Sequence, residues 1–297
     1  AVSPVRPPAA IPAAVLSWPV RLVQLVAHGA AKVPFAALYP ENGYLIAAAV
    51  FLYALVLLLA LRPGTVRLWH ALAAAVVVTG CCMALSCADA ALPASSFAML
   101  DVGQGQCLVS RTGGSVTVID CGGAEDASGE TAARYLLARG MPRVDRLILT
   151  HFDADHCNGA AQLISRVQVG TLYLPMTALR EQSTMLQTIV ETAQENGTQV
   201  RFVRENLEFP TKRGKIRVLK PDLLESGNDG GLCVLAAHEK YDILITGDLS
   251  QNEEYRLLSQ NELRGIELLV AGHHGAATST SDALLAQTGA RTVILSV

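Results

Sequence analysis

Four residues suited to metal binding lie close together in the segment 147–159, which reads LILTHFDADHCNG. His151, Asp153, Asp155 and His156 follow directly on an apolar run. Carboxylates and imidazoles crowded into one loop repel each other and lose hydration unless a cation compensates them. Imidazole and carboxylate together suit zinc, manganese or iron. The loop therefore predicts a site for one or two divalent metal ions, and the alternative is a solvated charge cluster.

The spacing of these residues points them in two directions. Alternate residues of an extended segment project to the same side, so His151, Asp153 and Asp155 can converge. His156 is adjacent to Asp155 and points elsewhere, as a second metal position requires. For Cys157, which follows, a packing role is favoured over a ligand role.

Two other apolar segments end in residues of the same kind. Residues 244–248 (LITGD) end in Asp248, and residues 268–275 (LLVAGHHG) contain the adjacent pair His273 and His274. Functional side chains collect where loops leave one edge of a sheet. We therefore expect these segments to meet the histidine-rich loop.

The elements that must position these residues alternate between strand-like and helix-like patterns, which indicates a layered α/β domain. A hairpin is predicted just before Asp248. Its register would place Asp248 opposite Gly231 and His238 at the far end. Asn228 and Asp229 are then candidates for substrate binding at the rim of the site.

The first 96 residues hold only five of the 23 basic and two of the 26 acidic residues. Gly43–Leu61 carries no charge and is long enough to cross a hydrocarbon core of about 30 Å. Leu68–Cys87 also lacks formal charge, so we predict two transmembrane helices, and a buried hairpin of a soluble core is the alternative. The turn between them carries Arg62 and Arg67 and no acid. The positive-inside tendency then places this turn in the cytoplasm and the α/β domain outside it. We therefore predict a multi-pass membrane protein, with the plasma (inner) membrane as its expected location.

Four regions follow from these patterns. We predict an interfacial segment at 1–42, two transmembrane helices within 43–87, a linker at 88–96 and a metal-binding α/β domain at 97–297. The chain begins with Ala and ends in a strand-like run, so we expect a fragment with a truncated C-terminus. The seven cysteines include no CxxC pair, and a disulfide framework is not expected.

Residues 151–156 (HFDADH) resemble the HxHxDH signature of the metallo-β-lactamase superfamily, with aspartate at the second histidine. With four further motifs, the chain resembles the C-terminal hydrolase domain of ComEC-type competence proteins, in which hydrophobic helices also precede the domain. The four motifs are LDVGQG at 100–105, IDCGG at 119–123, TGD at 246–248 and HHG at 273–275.

The resemblance implies the fold class α/β, as a metallo-β-lactamase-like αββα sandwich preceded by two transmembrane helices. It implies zinc or manganese as the metal and Asp248 as a bridging carboxylate. His273 would be the late metal ligand, and His274 would lie in the outer shell. Gln106 departs from the family pattern because an acid is usual there, and residues 228–231 lack the usual serine.

The function implied is a metal-dependent phosphodiesterase or nuclease that acts on DNA during uptake in natural transformation, with other DNA-uptake components as partners. Asp155 and Asp248 would orient the nucleophile. His274 or His273 would help the leaving oxygen to depart.

Net charge does not favour nucleic acid, because 24 acidic and 18 basic residues follow residue 96. A local basic segment could still contact phosphates, so Arg213 and Lys215 are predicted to bind the substrate. A solvated strand edge protected by charge is the alternative. The basic residues of this segment are Arg201, Arg204, Lys212, Arg213, Lys215, Arg217 and Lys220.

Two other functions stay open on the sequence alone. A surface metallo-phosphodiesterase or esterase could use the same site on small or lipid substrates. A non-catalytic membrane-tethered scaffold could keep the fold with impaired metal binding, because Asp153 stands where the signature has a histidine.

Overall fold

A computed structural model describes residues 18, 20–26, 43–62, 64, 66–91, 95–124, 127–180, 183–220, 227–238 and 241–296. Of the predicted interfacial segment, only residue 18 and the helical residues 20–26 are among these. The prediction for the remainder of that segment lies outside the described residues.

Two long helices precede the α/β domain. Helix α1 spans Gly43–Leu61 and helix α2 spans Leu68–Ala91. Their most apolar windows have mean hydropathies of 2.7 and 2.1, and both helices are long and apolar enough to cross a membrane. Helix α2 continues past Cys87 into the predicted linker, because Ala88–Ala91 keep the helical conformation.

The strands of the α/β domain are short and mostly apolar. They are β1 (Ser96–Met99), β2 (Cys107–Thr112), β3 (Ser115–Cys121), β4 (Arg143–Ile148), β5 (Gln168–Pro175), β6 (Gln199–Val203), β7 (Leu207–Thr211), β8 (Gly214–Leu219), β9 (Cys233–His238), β10 (Tyr241–Ile245), β11 (Leu268–Val270) and β12 (Thr292–Ile294).

These strands form two six-stranded sheets. The first sheet has the order β1-β2-β3-β4-β5-β6, and the second has the order β12-β11-β10-β9-β8-β7. Strands β3 to β6 are parallel, as are β10 to β12, and the other neighbours are antiparallel. Strand β7 was not predicted, because Pro210 and exposed charges interrupt its pattern; proline is tolerated there because β7 is an edge strand.

Helices cover the outer face of each sheet. They are α3 (Ser128–Ala138), α4 (Ala154–Cys157), α5 (Ala160–Arg166), α6 (Thr184–Glu195), α7 (Gln251–Gln260) and α8 (Asp282–Thr288).

Three apolar layers hold the domain together. The central layer packs side chains such as Ile119 and Ile148 of the first sheet with Ile216 and Val234 of the second. The first sheet also packs on α3, α5 and α6, and the second on α7 and α8. The order helix, sheet, sheet, helix is the predicted αββα sandwich, which the structure confirms.

Parallel pairing brings four loops to one edge of this sandwich. Strands β3 and β4 run parallel in the first sheet, and β10 and β11 run parallel in the second. Asp120 lies near the carboxyl end of β3, and His151, Asp248 and His273 follow the ends of the other three strands. Loops at such an edge commonly build a site.

Candidate metal centre

The histidine-rich loop is held by close backbone contacts with two glycine-rich turns. The backbone N–H of Gln106 donates to the carbonyl of Asp155 at 2.8 Å. A Cβ on Gly122 would lie 2.3 Å from the carbonyl carbon of Asp155 and the nitrogen of His156. The motif IDCGG therefore needs glycine here so that the metal loop can pass directly over it.

His156 lies at the centre of the cluster and is buried. Its Nε2 is 3.2 Å from Asp248 Oδ1 and 3.2 Å from His274 Nε2. The Nε2 of His274 is in turn 3.2 Å from Asp155 Oδ2. Asp155, His156 and His274 thus bring one ligand atom each within the span of a single metal ion.

His151 forms a second group with His156 and Asp248. The Nε2 of His151 is 3.6 Å from Asp248 Oδ2 and 3.6 Å from Asp153 Oδ2. Within the part of the chain that the structure describes, this buried nitrogen has no hydrogen-bond partner. Asp248 therefore directs one oxygen towards each group.

Hydrogen bonds at Nδ1 fix the orientation of the three histidine rings in the cluster. Thr150 Oγ1 donates its single proton to Asp120, so it accepts from Nδ1 of His151 at 3.0 Å. Nδ1 of His156 donates to Asp120 Oδ2 at 2.9 Å. Nδ1 of His274 donates to the carbonyl of Ser296 at 2.9 Å. When these rings are neutral, each turns its Nε2 lone pair towards the carboxylates of the cluster.

A cluster composed of lone pairs and carboxylates requires positive charge. Burial alone lowers the pKa of His156, but the carboxylates of Asp120 and Asp248 outweigh it and raise that pKa to about 10. Burial raises the pKa of Asp248, but the hydrogen bond and charge of His156 outweigh it and hold that pKa at about 2. The residues present therefore fit a divalent cation, whose ligands are imidazole nitrogen and carboxylate oxygen.

Asp120 is the functional residue that the sequence reasoning left without a role. Its carboxylate is fully buried and accepts hydrogen bonds from Gln106 Nε2 at 2.7 Å and from the backbone N–H of Thr150 at 2.7 Å. It also accepts from His156, so it orients a residue of the cluster. The same signal, a polar residue at the end of an apolar strand, was present in IDCGG.

The adjacent histidines have different positions. His274 has a side chain that is 10% exposed and lies inside the cluster, whereas the His273 side chain is 44% exposed. The Nε2 of His273 is 3.8 Å from Asp248 Oδ2, at the margin. Both residues have left-handed backbone conformations, with φ of 49° and 53°. The geometry therefore favours His274 as the late ligand, the reverse of the order that the resemblance implied.

The predicted rim residues lie close to the cluster. Asn228 and Asp229 belong to a short 3-10 turn, and Asp229 Oδ1 accepts from the backbone N–H of Ser250 at 3.1 Å. A Cβ on Gly231 would lie 3.7 Å from that of His151. The hairpin register pairs Ile245 with Val234, in line with the predicted register, and the ladder ends there, before Asp248 and Gly231.

Arg213 and Lys215 are not brought to the metal cluster, and their predicted contact with substrate phosphates stays a prediction. Lys215 pairs with Ala237, at the end of the second sheet that also contains His238. Its ammonium group is 2.9 Å from Glu208 Oε2. The predicted far-end position of His238 is confirmed, and His238 is a buried strand residue whose ring contacts Thr112.

Comparison with known families identifies the class of protein. A family model described as the metallo-beta-lactamase superfamily matches residues 100–297, about two thirds of the chain. The chain therefore belongs to the metallo-β-lactamase superfamily.

Curated relatives of the chain are competence proteins. It is 27% identical over 217 residues to ComE operon protein 3 of Bacillus subtilis, which covers 67% of this chain and 28% of that protein. It is 29% identical over 189 residues to competence protein ComA of Neisseria gonorrhoeae, which covers 62% of this chain and 24% of that protein. The chain thus spans about a quarter of the length of these relatives.

Solved structures with a similar fold are more distant. The metallo-beta-lactamase fold protein YhfI of Bacillus subtilis is 13% identical, with a TM-score of 0.44, over 68% of this chain and 86% of that chain. Zn²⁺-bound PqqB of Methylobacterium extorquens is 11% identical, with a TM-score of 0.38, over 56% of this chain and 58% of that chain.

Proposed function

We propose that this chain is a membrane-anchored, metal-dependent phosphodiesterase that acts on DNA during uptake. The observation that carries the proposal is the convergence of three imidazole Nε2 atoms on the carboxylates of Asp155 and Asp248. Superfamily membership supports a metal-dependent hydrolase, and the competence relatives support DNA as the substrate.

The cluster offers two positions for a divalent cation, zinc or manganese. Asp155, His156 and His274 would hold one ion, and His151 and Asp153 would hold the other, with Asp248 between them. Such a cation supplies Lewis-acid chemistry, in which water is activated near neutral pH and charge on phosphoryl oxygens is neutralised.

Side chains at the mouth of the cluster would contact the substrate. His273 is half-exposed beside Asp248, so we assign to it the proton transfer to the leaving oxygen, while His274 acts as a ligand. Asn228 and Asp229 lie at the rim, where they would contact the phosphodiester strand. Asp120 and Ser296 act as positioning residues for His156 and His274.

A cleavage assay on the full chain tests the proposal. The metal-loaded protein is incubated with single-stranded DNA, double-stranded DNA and small phosphodiesters, and Asp155→Ala is compared with Asp145→Ala as the control. Asp145 is a carboxylate within strand β4, six residues before His151, and it accepts a hydrogen bond from the backbone N–H of Val116. We expect DNA cleavage that is lost only in Asp155→Ala. Cleavage of small phosphodiesters alone would contradict the DNA assignment, and a metal-loaded protein that cleaves none of these substrates would contradict the assignment as an enzyme.

A further inference from the structure

The end of the sandwich opposite the metal cluster contains an open cleft between two hairpin turns. We call it the hairpin end and define it by the turns Thr112–Ser115 and Thr211–Gly214 together with Arg146. The cleft has a volume of about 530 Å³, and Gly113, Lys212 and Arg146 are among its lining residues.

The hairpin end is far from the metal cluster. Asp242 pairs with Ala237 at this end, and Asp248 lies six residues further along the same chain segment. At about 3.3 Å per residue in a strand, the two ends are separated by roughly 20 Å. Lys212, Arg213 and Lys215 of the basic segment therefore lie away from the metal site.

The chain enters the α/β domain at the hairpin end. Strand β1 is antiparallel to β2, with Ser96 opposite Arg111 and Met99 opposite Leu108. Its first residue thus lies beside the Thr112–Ser115 turn. Helix α2 ends at Ala91, five residues before Ser96, and five residues of chain span at most about 18 Å. If helix α2 crosses a membrane, this short connection tethers the hairpin end next to that membrane.

Two cations at this end have no carboxylate partner among the described residues. Nη1 of Arg146 donates to Ser115 Oγ at 2.8 Å, and its guanidinium group stacks 4.5 Å from the ring of Phe209. Lys212 is exposed at the tip of its hairpin.

Two of the nearby acids are paired with other cations, and one of these two, Asp145, also lines the cleft. Asp145 lies 3.7 Å from Arg143, and Glu208 lies 2.9 Å from Lys215. Asp242 and Glu267 lie further along the sheet edge, where Glu267 accepts from the backbone N–H of Asp242. The cleft lining therefore holds two cations, Arg146 and Lys212, and one acid, Asp145, which already faces Arg143. This is a local excess of positive charge in a domain with excess acid.

We propose that the hairpin end rests on the membrane surface and that Arg146 and Lys212 bind the phosphates of anionic lipid headgroups in the cleft. This inference rests on the proposed membrane anchoring and not on the proposed nuclease activity. A basic group close to an anionic leaflet strengthens attachment by about fivefold. The metal centre then faces away from the bilayer, with its mouth open to strands that arrive from solution.

Hydrogen–deuterium exchange on the full chain tests this orientation. The protein is reconstituted into nanodiscs of phosphatidylcholine alone or mixed with phosphatidylglycerol. We expect exchange in the two turns to slow in the anionic discs, while exchange around His151 stays unchanged. Lys212→Gln should reduce that protection by about fivefold. Lys215→Gln is the matched control, because it removes one charge from the same hairpin but from a residue already paired with Glu208.

Three outcomes separate the possible failures. Release of the chain from discs by alkaline carbonate overturns the anchoring on which the inference depends. A retained chain whose turns exchange equally in both lipids overturns the inference itself. The third outcome is that single-stranded DNA, added to neutral discs, slows exchange in the two turns, whereas anionic lipid does not. That result would show a nucleic-acid site at the hairpin end and would also overturn the inference.

Discussion

Asp120→Asn is the substitution that most directly tests how the cluster is oriented. The Asp120 carboxylate is fully buried and accepts hydrogen bonds from Gln106, from Thr150 and from Nδ1 of His156. Asparagine has nearly the same shape but replaces one acceptor oxygen with an N–H donor. The N–H group of the asparagine then faces one of the groups that donate to Asp120, and the tautomer of His156 is no longer fixed.

The expected effect follows from the role of Asp120 behind a metal ligand. Outer-shell carboxylates of this kind contribute about 10- to 100-fold to metal affinity. That range corresponds to roughly 1.4–2.8 kcal/mol of binding free energy. The unpaired donor also lowers the free energy of unfolding by about 1–3 kcal/mol. We therefore expect a folded variant that binds zinc or manganese 10- to 100-fold more weakly.

Competition with a fluorescent chelator measures the metal affinity, and urea denaturation without metal measures the stability separately. Asp145→Asn is the matched control, because Asp145 also accepts a backbone hydrogen bond, from Val116 at 2.9 Å, but lies away from the cluster. The control should bind metal like the unmodified chain. A folded Asp120→Asn protein with unchanged metal affinity would refute the role of Asp120.

Three other substitutions give distinct expectations. Gly122→Ala should lower the free energy of unfolding by about 2–3 kcal/mol in urea denaturation, since its Cβ would overlap the backbone of the metal loop; an unchanged midpoint would show that the loop can move aside. His274→Ala should weaken metal binding by more than about 100-fold in chelator competition, and His273→Ala by less than about tenfold, since only the first lies in a metal group; the opposite order would restore His273 as the ligand. Burial lowers the pKa of His238 although Asp242 opposes this, so the unfolded chain takes up the proton at a higher pH than the folded chain. Stability should therefore fall as pH drops below about 6.5, and His238→Gln should flatten this dependence in thermal unfolding. Identical pH profiles for the variant and the unmodified chain would count against His238 as the titrating group.

The sandwich and most of the cluster could be predicted from sequence because their signals are local. An apolar strand followed at once by histidine or aspartate marks the loops of His151 and Asp248, and parallel strands bring such loops to one edge. The hairpin register was also accessible, because two residues separate His238 from Tyr241.

The remaining features depend on conformation or on distant partners. Which of two adjacent histidines faces inwards is decided by left-handed backbone angles at both His273 and His274 and by the carbonyl of Ser296. Asp120 gained a role only when sheet pairing placed it beneath His156. Lys215 appeared available in the basic segment, but Glu208 on the neighbouring strand neutralises it.

The metal content of the purified chain tests the central claim most directly. After reconstitution with zinc or manganese and removal of free metal, elemental analysis of the full chain should find at least one ion per chain. The ion should be lost in Asp155→Ala and retained in Asp145→Ala. A folded, unmodified chain that retains no divalent metal would contradict the claim that these imidazoles and carboxylates converge to bind a cation.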